Sequence, residues 1–117
     1  MVAEFGAPGV QNPMIMDLIT TDPTSGEVVL VMIERRPWGG HPLQLKQIEE
    51  KINRYLGYVL DGFLVQQHPK YHGKPVTLRI DCLEAPHGEA VAFVEAATRA
   101  IRGEGLDFAV NVVPSTT

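Results

Sequence analysis

Residues 27–34 read Glu-Val-Val-Leu-Val-Met-Ile-Glu, and their unbroken run of six apolar residues is the strongest strand signal in the chain. The residues before it, Asp22-Pro23-Thr24-Ser25-Gly26, suit a tight turn, because proline presets φ and glycine accepts a positive φ. A further strand-like stretch, Met14 to Thr21, comes before that turn. Strand, turn and strand together predict a β-hairpin.

Two helical patterns come after the hairpin. In the first, which Pro42 opens, apolar residues at steps of three and four form one face, made of Leu45, Ile48, Ile52, Tyr55, Leu56, Val59 and Phe63. The second runs from about Gly88 to Arg102, with an inner stripe of Ala90, Val94, Ala97 and Ile101. Between the two, residues 61–73 suit another short helical turn, broken by Pro69.

Two later segments predict the remaining strands. Residues 75–83 alternate between apolar and polar side chains and place Cys82 on the apolar side, and residues 106–113 follow the same rule. The element order is therefore β-β-α-β-α-β. Since each helix has a single apolar stripe, we expect a two-layer α/β (α+β) sandwich, in which both helices cover one face of a four-stranded mixed sheet.

The same patterns divide the chain into three parts. One α/β domain is expected over residues 14–113. Residues 1–13 are rich in Gly, Ala and Pro without periodicity, which predicts a flexible N-terminal arm, and residues 114–117 form a C-terminal tail.

The face of the sheet away from the helices is the first candidate site. Strand two is apolar on both sides, and such strands usually have both sides covered. Asp17 in strand one indicates that its own side faces outward. The open face then includes Ile15, Ile19, Val29, Val31, Ile33 and Arg79. An apolar face of this kind predicts homodimerisation or docking of another protein; the alternative is that the arm or the tail covers it.

The loop Arg35-Arg36-Pro37-Trp38-Gly39-Gly40-His41 is the second candidate site, because it precedes a helix N-terminus, where free N–H groups and the dipole attract anions. Its candidate ligand-binding residues are Arg35, Arg36, Trp38, Gly40 and His41. The loop matches no P-loop or dinucleotide fingerprint. It predicts binding of a small molecule or an anion, or a minimal enzyme; the alternative is a turn in which Trp38 caps the edge of the core.

Other potentially reactive residues have simpler interpretations. His68 and His72 have the spacing of a helical metal pair, but Pro69 and Gly73 favour a solvated loop, and we expect no metal and no cofactor. Cys82 is expected in the core as a small apolar side chain, not as a nucleophile. Nothing in the sequence identifies catalytic residues, so it favours a non-enzymatic role.

Composition bounds the class of protein. The chain has 117 residues, 44% hydrophobic and 21% charged, as is ordinary for one globular domain. A net charge of −4 argues against a nucleic-acid or membrane partner, because both are anionic. No signal peptide or membrane span is visible, and a single cysteine suits a reducing cytoplasm, so we expect a cytoplasmic protein.

Several segments carry a resemblance to a known family. They are Met16 to Ile19, Asp22 to Leu30, Trp38, Leu43 to Leu56, Gly62, Pro69 and Gly73 to Val76, with Glu50-Lys51-Ile52-Asn53-Arg54-Tyr55-Leu56 as the strongest stretch. On these residues the chain resembles, over about 14–113, a family of small bacterial proteins catalogued as a domain of unknown function. The resemblance implies a bacterial source and this element order, and no activity.

Together these features predict a non-enzymatic module for protein interaction or oligomerisation, using the open sheet face. The alternative is a small-molecule or anion-binding domain, or a minimal enzyme, using the loop from Arg35 to His41 at the start of helix one.

Overall fold

The computed structural model describes residues 9–10 and 17–114, and within them four strands and three helices follow one another as β1-β2-α1-α2-β3-α3-β4. The strands are β1 (Leu18–Thr21), β2 (Val28–Glu34), β3 (Val76–Cys82) and β4 (Asp107–Val112). The helices are α1 (Gln44–Leu60), α2 (Phe63–Gln67) and α3 (Glu89–Gly103), with a 3₁₀ turn over Pro69–Tyr71. The predicted element order and the interrupted helical turn around Pro69 are confirmed.

The strands lie in the sheet in their order along the chain. β1 pairs antiparallel with β2, while β2, β3 and β4 run parallel, so the sheet is mixed, as predicted. The β1–β2 turn is held by Asp22, whose carboxylate accepts the N–H groups of Thr24 and Ser25 at 2.8 and 3.0 Å. The carboxyl ends of β2, β3 and β4 therefore share one edge of the sheet, the carboxyl edge, and the β1–β2 turn lies at the opposite amino edge.

The core lies between one face of the sheet and the helices. Alternate residues of β2 face it, namely Val28, Leu30 and Met32, beside Leu78, Ile80 and Cys82 of β3. From the helices, Ile48, Ile52 and Tyr55 of α1 and Ala90 and Ile101 of α3 pack into the same cluster. Both long helices thus cover one face of the sheet, which confirms the predicted two-layer sandwich. Cys82, as expected, is in this core.

The predicted orientation of β1 is wrong. Ile19 pairs with Leu30 and packs against the core on the helix side, and the Asp17 side chain is inaccessible to solvent. Asp17 lies inside because Lys51 of α1 neutralises it, with Nζ 2.6 Å from the carboxylate. Leu18, which pairs with Val31, takes the outward position. Ile15 lies outside the described residues.

A short N-terminal segment adds to the core beside this ion pair. Val10 is fully buried, and its N–H donates to the carbonyl of Ile33 at 2.9 Å. Gly9 accepts from Lys51 Nζ at 2.6 Å and donates to Asp17 at 3.0 Å. These two residues belong to the predicted arm, whose remaining residues lie outside the described part of the chain, as do residues 115–117 of the predicted tail.

Candidate functional site

A cleft of about 400 Å³ opens at the carboxyl edge of the sheet, between the loops that follow β2 and β3. This loop cleft is lined by Trp38, Gly39, His41, Pro42, Gln44, Leu45, His87, Gly88, Glu89 and Ala90. In open α/β sheets, ligands characteristically bind in crevices outside the carboxyl ends of parallel strands. The loop cleft has this position.

The wall that follows β2 is built by a hydrogen-bonded turn. The N–H of Gly40 donates to the carbonyl of Pro37 at 2.9 Å, so closely that a Cβ on Gly40 would lie 2.9 Å from that oxygen. The buried Gln44 side chain accepts from the Gly39 N–H at 2.8 Å and donates to the same Pro37 carbonyl. The turn is therefore fixed from inside by the first residue of α1.

Trp38 joins the two loops. Its indole N–H donates to the carbonyl of Glu84, in the loop after β3, at 2.9 Å, and the residue is only 5% exposed. A tryptophan held at its polar end in this way presents a rigid apolar ring to the cleft. The sequence left two roles open for Trp38: capping the edge of the core, or stacking on a ligand. Trp38 is almost fully buried and also lines the cleft, so its position is compatible with both roles.

His41 contributes a polar group at the start of α1. Its Nδ1 accepts the N–H of Leu43 at 3.1 Å, so the neutral ring has its proton on Nε2, where it is a donor. The carbonyl of His41 accepts from the N–H of Gln44. Because no backbone carbonyl among the described residues pairs with the Leu45 N–H, that group remains a donor at this end of the helix.

The opposite wall is the N-terminus of α3. Gly88 has φ of 59° and ψ of −135°, a conformation that residues with a Cβ rarely adopt, and it turns the chain into the helix. His87 Nε2 lies 2.7 Å from the Glu84 carboxylate. The N–H of Glu89 has no carbonyl partner in the described part of the chain. Two long helices therefore present their N-terminal ends to one cleft, each with a positive end of its dipole.

Not all of the predicted ligand residues meet in this cleft. Trp38 and His41 line it, and Gly40 builds the turn behind it. Arg36 is committed elsewhere, because its guanidinium binds both oxygens of the buried Glu34, at 2.9 and 2.7 Å, and Gln47 at 2.8 Å. This pairing raises the pKa of Arg36. Arg35 lines a separate, smaller hollow on the far side of the carboxyl edge.

Four of the ten residues that line the cleft come after β3, in a part of the chain that the sequence did not single out as a site. They lie in the loop between β3 and α3 and at the start of α3, and comprise His87, Gly88, Glu89 and Ala90. The signal that identifies them is topological: loops that follow two adjacent parallel strands lie at the same edge of the sheet. That adjacency of β2 and β3 was not specified by the sequence pattern.

The open sheet face is less apolar at its surface than its sequence suggests. Val29, Val31 and Ile33 do lie on the side away from the helices, in register with Thr77, Arg79 and Asp81. However, Val29 is only 5% and Val31 only 1% exposed, and Arg79 is bound by Asp81 at 2.8 Å. Leu18, on the same face, is half exposed. Docking of a second copy or of another protein on this face stays a prediction.

Two further observations concern the described residues, one on metal-binding clusters and one on membrane-spanning helices. Within the described residues, no group of three or more His, Cys, Asp or Glu side chains is arranged to hold a metal ion. Among the same residues, no helix is both long and apolar enough to cross a membrane.

Comparison with known proteins places the chain beside proteins without an assigned role. The profile of a family described as a family of unknown function matches residues 9–114, which confirms the resemblance found in the sequence. No curated protein matches, and no solved structure matches.

Proposed function

Since this chain belongs to DUF6572, a family of unknown function, we propose its role from the loop cleft: it is a small-molecule-binding domain whose ligand enters with a hydrogen-bond-accepting, anionic end. The observation that carries this proposal is the convergence of two helix N-termini on one concave site at the carboxyl edge. Such ends offer N–H donors and a positive dipole to a negative group.

The lining indicates how a ligand would be oriented. Its acceptor end would meet the N–H groups of Leu45 and Glu89 and the Nε2 donor of His41. Its apolar body would lie against the Trp38 ring and Pro42. Ligand pockets commonly have a few convergent polar groups in a largely apolar wall. The volume of about 400 Å³ suits a ligand of the size of an aromatic carboxylate.

One carboxylate opposes an anion in this cleft. Glu89 is the first residue of α3, lines the cleft and is exposed. It is a normal stabilising residue at a helix N-terminus, yet it repels a negative ligand there. The negative charge of Glu89 therefore weakens the binding of an anionic ligand. Removing the charge of Glu89 by substitution provides a sensitive test.

Benzoate is a suitable test molecule, with benzyl alcohol as its uncharged analogue. Trp38 is the only tryptophan, so its fluorescence reports on the cleft, and ¹⁵N amide shifts locate the contact. We expect saturable benzoate shifts at Gly39, Leu45, Gly88 and Glu89, and smaller shifts with benzyl alcohol. Benzoate shifts absent from these amides would contradict the proposal.

Three variants sharpen this test. His41→Glu adds a negative charge to the exposed rim and should weaken benzoate binding about threefold or more, whereas Glu89→Gln should strengthen it by a factor of about two to five. His72→Glu is the matched control, because His72 is exposed and does not line the cleft. An equal loss in His41→Glu and His72→Glu would mean that net charge, and not the cleft, governs binding.

A further inference from the structure

A second hollow, of about 270 Å³, lies at the amino edge of the sheet, at the opposite end from the loop cleft. This lysine hollow is lined by Thr21, Gly26, Lys70, Tyr71 and Lys74. Its two sides are the β1–β2 turn and the segment before β3, which are joined by the Val28 N–H donating to the Pro75 carbonyl at 2.9 Å. Residues distant in sequence are thus fixed around it.

Two ammonium groups, those of Lys70 and Lys74, lie at the lysine hollow. Within the described residues, no carboxylate lies within 4.0 Å of Lys70 or Lys74. Both lie beside other residues that line the hollow. Lys70 Nζ lies 5.3 Å from the centre of the Tyr71 ring, and Lys74 Nζ lies 3.8 Å from where a Cβ on Gly26 would be. Two positive charges therefore flank one hollow in a chain of net charge −4.

Tyr71 supplies the observation that points to a ligand. The residue is nine-tenths buried, yet no partner for its hydroxyl is found in the described part of the chain. Buried tyrosine hydroxyls usually have a partner. Since no buried side-chain oxygen or nitrogen is left unsatisfied among the described residues, this hydroxyl retains access to solvent. It remains a donor that a molecule in the hollow can use.

We propose that the lysine hollow binds a terminal phosphoryl group, either as free phosphate or as a small phosphate monoester. A phosphoryl group has a charge of about −1.5 to −2 at neutral pH and three strong acceptor oxygens. Two ammonium groups and one phenol hydroxyl match this charge and this number of acceptors. Gly26, which lines the hollow, has a φ of 76°, a backbone conformation that favours glycine in this turn. The site is independent of the loop cleft and of its proposed function.

The test is a titration of the whole chain with sodium phosphate at constant ionic strength, followed by ¹⁵N amide shifts. We expect saturable shifts at Gly26, Lys70, Tyr71 and Lys74 that chloride does not produce. A Lys70→Gln/Lys74→Gln double variant should bind phosphate at least about tenfold more weakly, since each substitution removes one charged donor. Glycerol phosphate distinguishes the two sources: tighter binding than phosphate supports a monoester, and equal binding supports the free ion.

Matched variants separate this site from general charge effects. Lys46→Gln removes one exposed lysine on α1 and should leave phosphate binding unchanged. Tyr71→Phe should weaken phosphate binding severalfold while the fold, seen in the amide spectrum, is retained. Equal losses in Lys46→Gln and in the double variant would overturn the proposal, as would phosphate shifts confined to Gly39 and Gly88. The latter result would support the loop cleft instead, so the two proposals fail separately.

Discussion

At the scale of single residues, the buried carboxylates of Glu34 and Asp17 accept hydrogen bonds from backbone N–H groups and so fix the local backbone. Glu34 is 1% exposed, and besides binding the Arg36 guanidinium it accepts the N–H of Arg36 at 2.8 Å, which shapes the chain as it leaves β2. Asp17 likewise accepts the Ile33 N–H at 2.9 Å. Buried carboxylates are costly unless they are paired and hydrogen-bonded, so Glu34 and Asp17 have a structural role. The cations that can bind a ligand are those without a carboxylate partner among the described residues, such as Lys70 and Lys74.

Cys82 gives a prediction at this scale. It is 2% exposed, its Sγ lies 3.2 Å from the Glu84 carbonyl, and burial raises the pKa of the thiol above its usual range. The thiolate is the reactive form, so both access and ionisation protect it. At pH 8 we expect Cys82 to react with Ellman's reagent about a hundredfold or more slowly in the native protein than in urea, because exposing it requires an opening of about 3 kcal/mol or more.

The measurement is unambiguous because Cys82 is the only cysteine in the chain. A stoichiometric burst at the unfolded rate in native buffer would contradict the buried position. Cys82→Ala is the control, and it should leave benzoate and phosphate binding intact, because Cys82 lines neither the loop cleft nor the lysine hollow.

At the scale of elements, the spacing of apolar residues predicted which helices and strands form. It also predicted, for most of them, which side packs against the core. The alternation in β3 and the stripe of α3 placed Ile80, Cys82, Ala90 and Ile101 in the core, where the structure has them. β1 was reversed because Asp17 was assigned to solvent. Lys51 lies three residues after Ile48 and four before Tyr55, on the inner face of α1, and a charged residue there is the sequence signal for a buried partner.

The Asp17–Lys51 pair provides the prediction for elements, since it joins α1 to the start of β1. Both side chains are inaccessible to solvent, with Nζ 2.6 Å from the carboxylate. Lys51→Met should lower the free energy of unfolding by about 3–5 kcal/mol, because it leaves the Asp17 charge buried without its partner. Adding Asp17→Asn removes that charge, so the double variant should be less destabilised than the sum of the two single variants by about 1–3 kcal/mol.

Urea unfolding of the four proteins of this cycle supplies the numbers. Tyr55→Phe is a useful reference in the same cluster, because the Tyr55 hydroxyl donates to Val31 and accepts from the Asp17 N–H without carrying a charge. Its loss should cost about 1–2 kcal/mol. Strict additivity of Lys51→Met and Asp17→Asn would show that the two side chains do not interact energetically.

At the scale of the whole molecule, the candidate sites depend on strand order, which local patterns do not encode. The sequence identified Trp38 and His41, because an unusual loop before a helix is visible as composition. It did not identify His87 and Gly88, whose role arises from the neighbouring position of β3 beside β2. The lysine hollow was missed for the same reason. Lys70 and Lys74 lie near the β1–β2 turn because β3, which follows them, pairs with β2 in the sheet.

This arrangement leads to a prediction for the whole chain: the two sites act independently. They lie at opposite edges of one sheet and share no lining residue. A ligand at ten times its Kd stabilises the native state by about 1.4 kcal/mol, which for a domain of this size raises Tm by roughly 5 °C. Benzoate and phosphate together should therefore raise Tm by about the sum of their separate effects.

Thermal unfolding followed by circular dichroism measures this directly, with each ligand alone and both combined at constant ionic strength. Lys70→Gln/Lys74→Gln should lose the phosphate increment and keep that of benzoate, whereas His41→Glu should reduce the benzoate increment alone. An increment for the pair well below the sum would mean that the ligands compete for one site. An increment above the sum would mean that binding at one edge improves binding at the other, and linkage then requires each ligand to tighten the other by the same factor.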